Sequence, residues 1–228
     1  MTALEEDLNR DFPIYSRGEY LADMAAHVLG LTVGLVATVA LLVEASHFGQ
    51  PLLILGAGLY ALGLVAMLSC SAAYNLCPPS PLKSLLRRLD HAAIFLMIAG
   101  TYTPLLLNRV GGDWGVGLLS FVWLVAFGGA YLKIMFPRRW EMYTIALYVG
   151  LGWSILVAIN PLLRSVSLES LILIGAGGVI YSVGVIFHLW DRLPYQNAIW
   201  HWLVLIGATC HYVAVMNEVA IAGTIVGH

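Results

Sequence analysis

An all-α, polytopic membrane protein, built as a bundle of seven transmembrane helices, is what three properties of the sequence predict. The mean hydropathy is +0.85. Only 11% of the 228 residues are charged while 60% are hydrophobic. The apolar residues fall into seven long runs separated by short polar stretches. A soluble domain carries about 25% charged residues and about 45–50% apolar ones, so the charge deficit is too large for a water-facing surface. Disorder, a collagen-like chain, a disulfide scaffold and an ordinary soluble enzyme are excluded on the same ground. The formal net charge of −2 offers no basis for binding nucleic acid. Cys70, Cys77 and Cys210 are odd in number and lack a C-x-x-C spacing, so they make neither a disulfide framework nor a zinc knuckle. Cys70 and Cys210 sit in apolar runs, as packing residues do.

Residues 1–20 are polar and acidic, with Glu5, Glu6, Asp7, Asp11 and Glu19, which is the wrong character for a signal peptide. They are expected to form a cytoplasmic tail. The apolar runs that follow lie near 21–43, 52–75, 91–108, 115–136, 140–160, 170–190 and 198–219. Each approaches the roughly 20 residues a helix needs to cross about 30 Å of hydrocarbon. Lipid offers backbone N–H and C=O groups no partners, so the runs must be helices. The strands of a membrane barrel would instead alternate in character over about ten residues. Residues 21–219 therefore read as one transmembrane domain, with 220–228 as a short extracytoplasmic tail.

Lysine and arginine set the orientation. Nine of the eleven fall on one side: Arg10, Arg17, Lys83, Arg87, Arg88, Lys133, Arg138, Arg139 and Arg192. Only Arg109 and Arg164 fall on the other. The positive-inside bias places the N-terminus in the cytoplasm and the C-terminus outside.

Polar side chains inside a membrane are costly and mark function unless something simpler absorbs them. Here they gather at helix ends. Asp23 and His27 lie four apart near the start of the first helix, hence on one face. Ser71 and Asn75 repeat that spacing at the end of the second, and Asp90 and His91 open the third. His188 closes the sixth, and Asn197 and His201, again four apart, open the seventh. The predicted topology brings all of these to the cytoplasmic boundary, where a metal or hydrolytic site in a bundle would have its donors. Ser71, Asn75, Asp90, Asn197 and His201 are expected to converge in one pocket, with His27 and His188 at its rim. The competing reading is interfacial: such residues also meet headgroups and water, and acidic groups at helix starts suit the helix dipole. His211 is about 15 Å further along the seventh helix than His201, the depth of a helix–helix hydrogen bond. His47 and His228 fall on the outer side. The glycines of Gly30-x-x-x-Gly34, Gly128-Gly129, Gly150-Leu-Gly152 and Gly175-Ala-Gly177-Gly178 lie inside apolar helices and read as close packing, not as a nucleotide loop.

Two stretches resemble a known family. Arg88-Leu-Asp90-His91-Ala-Ala-Ile-Phe-Leu-Met-Ile-Ala-Gly-Thr-Tyr-Thr-Pro104 is similar to the third-helix signature of the hemolysin III proteins, bacterial relatives of the progestin and adipoQ receptor (PAQR) family. Glu19-x-x-x-Asp23-x-x-x-His27-x-x-Gly30 resembles the family's E-x-x-x-N-x-x-x-H-x-x-G. Ser71-x-x-Tyr74-Asn75 resembles its S-x-x-Y-H, and Asn197-Ala-Ile-Trp-His201 its H-x-x-x-H. The resemblance runs from about residue 17 to 216 and implies a bacterial inner-membrane location. It also implies a zinc ion at the cytoplasmic helix ends, an aspartate at Asp90 holding a zinc-bound water, and a serine at Ser71 beside it. Two of the three histidine ligands are asparagine here, Asn75 and Asn197, leaving His201. Asparagine lies outside the usual zinc donors, so the inherited set is expected not to hold zinc tightly. A rebuilt set would draw on His188, which stands where the family has a tyrosine, with His201, Asp90 and His27.

Three functions follow from the resemblance and the polar cluster. The first is a degenerate site kept for binding membrane lipid or a membrane-protein partner. The second is a metal-dependent hydrolase of lipid amides, with Asp90 and Ser71 serving a metal-activated water. The third, pore formation, rests on the family's name; no charged ring or water-lined stripe crosses the mid-membrane zone. Retinal is excluded because Lys83 and Lys133, the two lysines, map to the boundary, away from a buried Schiff base. Haem is excluded because His201 and His211 are not a facing pair at one depth.

Overall fold

The computed structural model describes residues 15–136 and 141–226, with side chains described up to Thr224. Glu5, Glu6, Asp7, Arg10, Asp11, Arg138, Arg139 and His228, used above for charge and topology, lie outside the described residues. Among the described residues the chain forms seven helices long and apolar enough to cross a membrane.

Helix α1 spans Arg17–His47 and starts in a capping box. The Ser16 hydroxyl accepts from the Glu19 N–H at 3.3 Å while the Glu19 carboxylate accepts from the Ser16 N–H at 2.8 Å, so two orphan donors are satisfied reciprocally. Helix α2, Pro51–Leu76, has proline in its first turn, where a missing N–H costs nothing.

Helix α3, Pro81–Leu105, is capped by the Ser80 hydroxyl. It begins ten residues before its apolar run. Hydropathy registers only the lipid-embedded part, whereas the cap, Pro81 and the helix-favouring Lys83, Leu85, Leu86, Arg87 and Arg88 extend the helix beyond it. Asp90 and His91 therefore occupy the third turn of α3 and do not open it. Pro104 removes one hydrogen bond of α3, and a π-helical turn, Leu106–Val110, follows. The chain reverses at Gly111 and Gly112, with φ of 60° and 56°, a region other L-residues rarely adopt.

Helix α4 is Gly112–Met135. Helix α5 crosses as Glu141–Ser165, but a 3₁₀ turn at Ser154–Ala158 interrupts it, a break not anticipated from the apolar run. The Tyr102 hydroxyl of α3 accounts for it. That oxygen accepts from the Ile155 N–H at 2.7 Å and sits 2.8 Å from the carbonyls of Leu151 and Gly152, replacing partners the helix loses there. Helix α6 is Leu168–His188 and α7 is Gln196–Val226.

Helix α3 is the most enclosed span, with 61% of its apolar window buried against 17% for α5 and α6. It packs on α2, α4, α5 and α7, while α7 also packs on α1 and α6. One apolar core joins α3, α4 and α5 around Phe95, Tyr102, Val122 and Leu162. A second joins α1, α2, α3 and α7 around Leu41, Tyr60, Leu64 and Val215. Large apolar side chains such as Val36, Leu124 and Val157 remain exposed, as lipid contact requires. Close approach of α2 and α3 depends on Gly63 and Gly100: a Cβ at Gly100 would lie 2.9 Å from the Leu59 carbonyl oxygen, and one at Gly63 3.0 Å from that of Leu96. Of the glycines expected at packing sites, Gly30, Gly34, Gly129, Gly177 and Gly178 abut a neighbouring helix, but Gly128, Gly150, Gly152 and Gly175 face open space. Adjacent positions point to different sides of a helix, so a glycine pair cannot pack with both members on one neighbour.

Candidate functional site

The polar residues converge because α1 and α7 run side by side in parallel. The turn before α7 is fixed by Glu19, whose carboxylate accepts from the Tyr195 N–H at 3.0 Å. Tyr195 itself adopts a φ of 60°, a strained value held by that contact and its surroundings. The Gln196 amide donates to the His188 carbonyl, tying the end of α6 to the start of α7. From Glu19, one turn along α1 brings Asp23 and the next His27, on the face that meets His201.

Asp23, His27 and His201 form the buried centre, at 6%, 7% and 8% exposure. His201 Nδ1 lies 2.5 Å from Asp23 Oδ1. His27 Nε2 lies 3.4 Å from Asp23 Oδ2, yet it makes no hydrogen bond with any group. The imidazoles of His27 and His201 meet at a tilt of 58°, with centroids 4.4 Å apart. One ligand-type atom from each of the three residues falls within 4.8 Å of the other two. A cavity of about 30 Å³ adjoins them, lined by His27, Ser71 and His201 together with apolar residues of α1, α2 and α7.

Beside this centre lies a neutral ladder. Asn197 Nδ2 donates to Asn75 Oδ1 at 3.3 Å, and Asn75 Nδ2 donates to the Ser71 carbonyl at 3.0 Å. Both asparagines are half-buried, one helical turn from Ser71 and His201 and outside the lining of the cavity itself. Asp90 is buried on α3, its carboxyl facing the Ser71 hydroxyl. Of the five residues expected in one pocket, Ser71 and His201 line the cavity, Asn75 and Asn197 bond to each other, and Asp90 lies by Ser71; two other placements differ from expectation. His27 sits in the buried centre instead of at the rim, because the α1 face bearing it is clamped against α7. His188 stacks on Trp200 with its Nδ1 buried and unpartnered, and the three-residue group of ligand-type atoms takes in Asp23 in place of His188 and Asp90. His211 behaves as its depth suggested, contacting the Ile174 carbonyl of α6 at 3.2 Å.

One charged site escaped the sequence reading. At the opposite end of the bundle Arg109 Nε pairs with Glu218 at 2.6 Å, and the Ser167 hydroxyl donates to the same carboxylate at 2.6 Å. Glu218 is 1% exposed. A lone acid late in an apolar run, with one of only two outer arginines to match it, was the available signal.

A seven-helix membrane protein with a buried Asp–His–His centre and a polar wall at one end of α1, α2, α3 and α7 is therefore the class defined here. The family model for haemolysin-III related proteins matches residues 20–212, and the chain belongs to that family. It is 36% identical over 198 residues to Hemolysin-3 of Bacillus cereus, covering 87% of this chain and 90% of that one. It is 33% identical to the Hemolysin-3 homolog of Bacillus subtilis (strain 168), covering 87% and 93%. Human monocyte to macrophage differentiation factor is 29% identical over 167 residues, covering 70% and 68%, which connects the chain to the wider PAQR superfamily.

The zinc set that the resemblance implies does not fit the residues present. The two positions it assigns to histidines carry neutral amides bonded to each other, and neither asparagine is an ordinary zinc donor.

Proposed function

We propose that the protein recognises the polar group of a membrane lipid in this pocket, with its N-terminal end in the cytoplasm of a bacterial cell and the pocket at the cytoplasmic face of the inner membrane. The orientation rests on the nine-to-two division of lysine and arginine. The observation that carries the binding role is the Asn197–Asn75 hydrogen bond at a half-buried mouth. Amides donate and accept, so a lipid amide or ester can exchange with either asparagine without stranding a charge. The cavity of about 30 Å³ holds a few waters at most. Acyl chains therefore stay on the apolar outer faces, and only the polar group enters. Mass spectrometry of lipids retained through mild-detergent purification tests the reading. A lipid class enriched on the native chain and lost with Asn75→Leu plus Asn197→Leu supports it; identical lipid profiles overturn it, leaving contact with another membrane protein as the use of this wall.

A second reading, hydrolysis of a lipid amide, is favoured by the Ser71 hydroxyl facing the Asp90 carboxyl beside the Asp–His–His centre. Asp90 would take a proton from the attacking water, which Ser71 would orient, and return it to the amine nitrogen as the C–N bond breaks. Fatty-acid release from lipid amides in proteoliposomes, abolished by Asp90→Asn, supports this reading, and no release above protein-free vesicles rejects it.

A further inference from the structure

We infer that Asp23, His27 and His201 hold a divalent transition-metal ion that clamps α1 to α7, in the pocket proposed above but with a donor set other than the one the family resemblance implies. The inference adds a cofactor to that pocket and rests on it for location only.

The donor chemistry is the first argument. Two imidazoles and one carboxylate, with one side left open, is a recurrent set for zinc and for other first-row divalent ions. The second is geometry. Tetrahedral bonds of about 2.0–2.1 Å place ligand atoms roughly 3.4 Å apart. Here His27 Nε2 is 3.4 Å from Asp23 Oδ2, and one ligand atom from each of the three residues lies within 4.8 Å of the other two; His201 Nδ1 and Asp23 Oδ1, at 2.5 Å, are hydrogen-bonded and would open by about 1 Å to bind one ion together.

His27 Nε2 is buried and has no hydrogen-bond partner, although His27 itself is 7% exposed. Leaving such an atom unsatisfied costs about 1–3 kcal/mol. A hydrogen-bonded Asp–His pair accounts for Asp23 and His201 but leaves this nitrogen with only a poorly aligned 3.4 Å contact to Asp23 Oδ2. A cation between the three side chains satisfies it, and the adjoining cavity lined by His27 and His201 leaves room for water at the open position.

The full chain, purified in detergent without chelator and without a histidine tag, tests this by elemental analysis and by titration with Co(II), whose visible bands report nitrogen–oxygen coordination. One ion per chain is expected. His27→Gln removes a donor and gives up only the 3.4 Å contact with Asp23 and the ring contact with His201, so it should still fold, as monodispersity checks, and weaken Co(II) binding by more than about 100-fold, beyond what second-shell changes cause. Asp23→Asn should do the same, Asp23→Glu should retain the bands in shifted form, and His188→Gln should leave the stoichiometry intact. Absence of metal and of bands in monodisperse native protein overturns the inference. So does binding that survives both His27→Gln and Asp23→Asn, because the ion would then lie elsewhere. Lipid retention measured on the same samples separates the two ideas: lipid without metal leaves the pocket standing and removes the ion.

Discussion

Asp23 and His201 lie 178 positions apart in the chain and meet at 2.5 Å between α1 and α7, almost wholly excluded from solvent. The contact joins the first span to the last and closes the helix bundle at its polar end.

Removing one member of this pair should destabilise the fold. Asp23→Ala is expected to cost about 1–3 kcal/mol, because His201 Nδ1 is left buried without its partner. A double-mutant cycle with His201→Ala should then show coupling of at least about 1 kcal/mol. Thermal unfolding in detergent measures both; additive losses would show that the two side chains do not stabilise each other.

The opposite end of the bundle should be a structural node and nothing more. Glu218→Ala strands Arg109 and the Ser167 N–H, at an expected cost of about 3 kcal/mol. Lipid retention in the surviving folded fraction should be unchanged. Loss of lipid at native-like stability would connect the two ends functionally.

Tyr102→Phe removes a hydroxyl and no apolar volume. The Ile155 N–H donates to that oxygen, and its single proton is shared between the carbonyls of Leu151 and Gly152 in α5. A loss of about 1–3 kcal/mol is expected, with faster amide exchange confined to residues 151–158. Unchanged exchange there would mean that α5 breaks for another reason.

Gly100→Ala should separate α2 from α3. The added Cβ would press on the Leu59 carbonyl and on Tyr60 Cα at 3.4 Å, backbone that cannot rotate away. A cost of about 1–3 kcal/mol is expected, as for other overpacked interiors. Gly175→Ala, which meets nothing within 4 Å, should be neutral or slightly stabilising.

For the proposed orientation, periplasmic and cytoplasmic reporters fused to the two ends should report opposite sides, with the N-terminal one cytoplasmic. Exchanging Lys83, Arg87 and Arg88 for uncharged residues should weaken that bias. Reporters on the same side would contradict an odd number of crossings.

The sequence alone determined the membrane class, the seven crossings and the identity of the polar residues, because burial in lipid forces helices and makes each polar side chain conspicuous. Four-residue spacing placed Asp23 with His27 and Asn197 with His201, since a helix repeats its faces every 3.6 residues. What tertiary structure decided is which faces meet. The Glu19–Tyr195 contact sets the register of α1 against α7 and so moves His27 from the rim to the centre, with Asp23 as its companion. The polar first turns of α3 and the break in α5 were decided there as well, the one by a capped helix continuing beyond the lipid and the other by a hydroxyl from a neighbouring span. A periodic pattern identifies a face but carries no information about its neighbour; only the packing of long-range partners such as Asp23 with His201, or Arg109 with Glu218, supplies that.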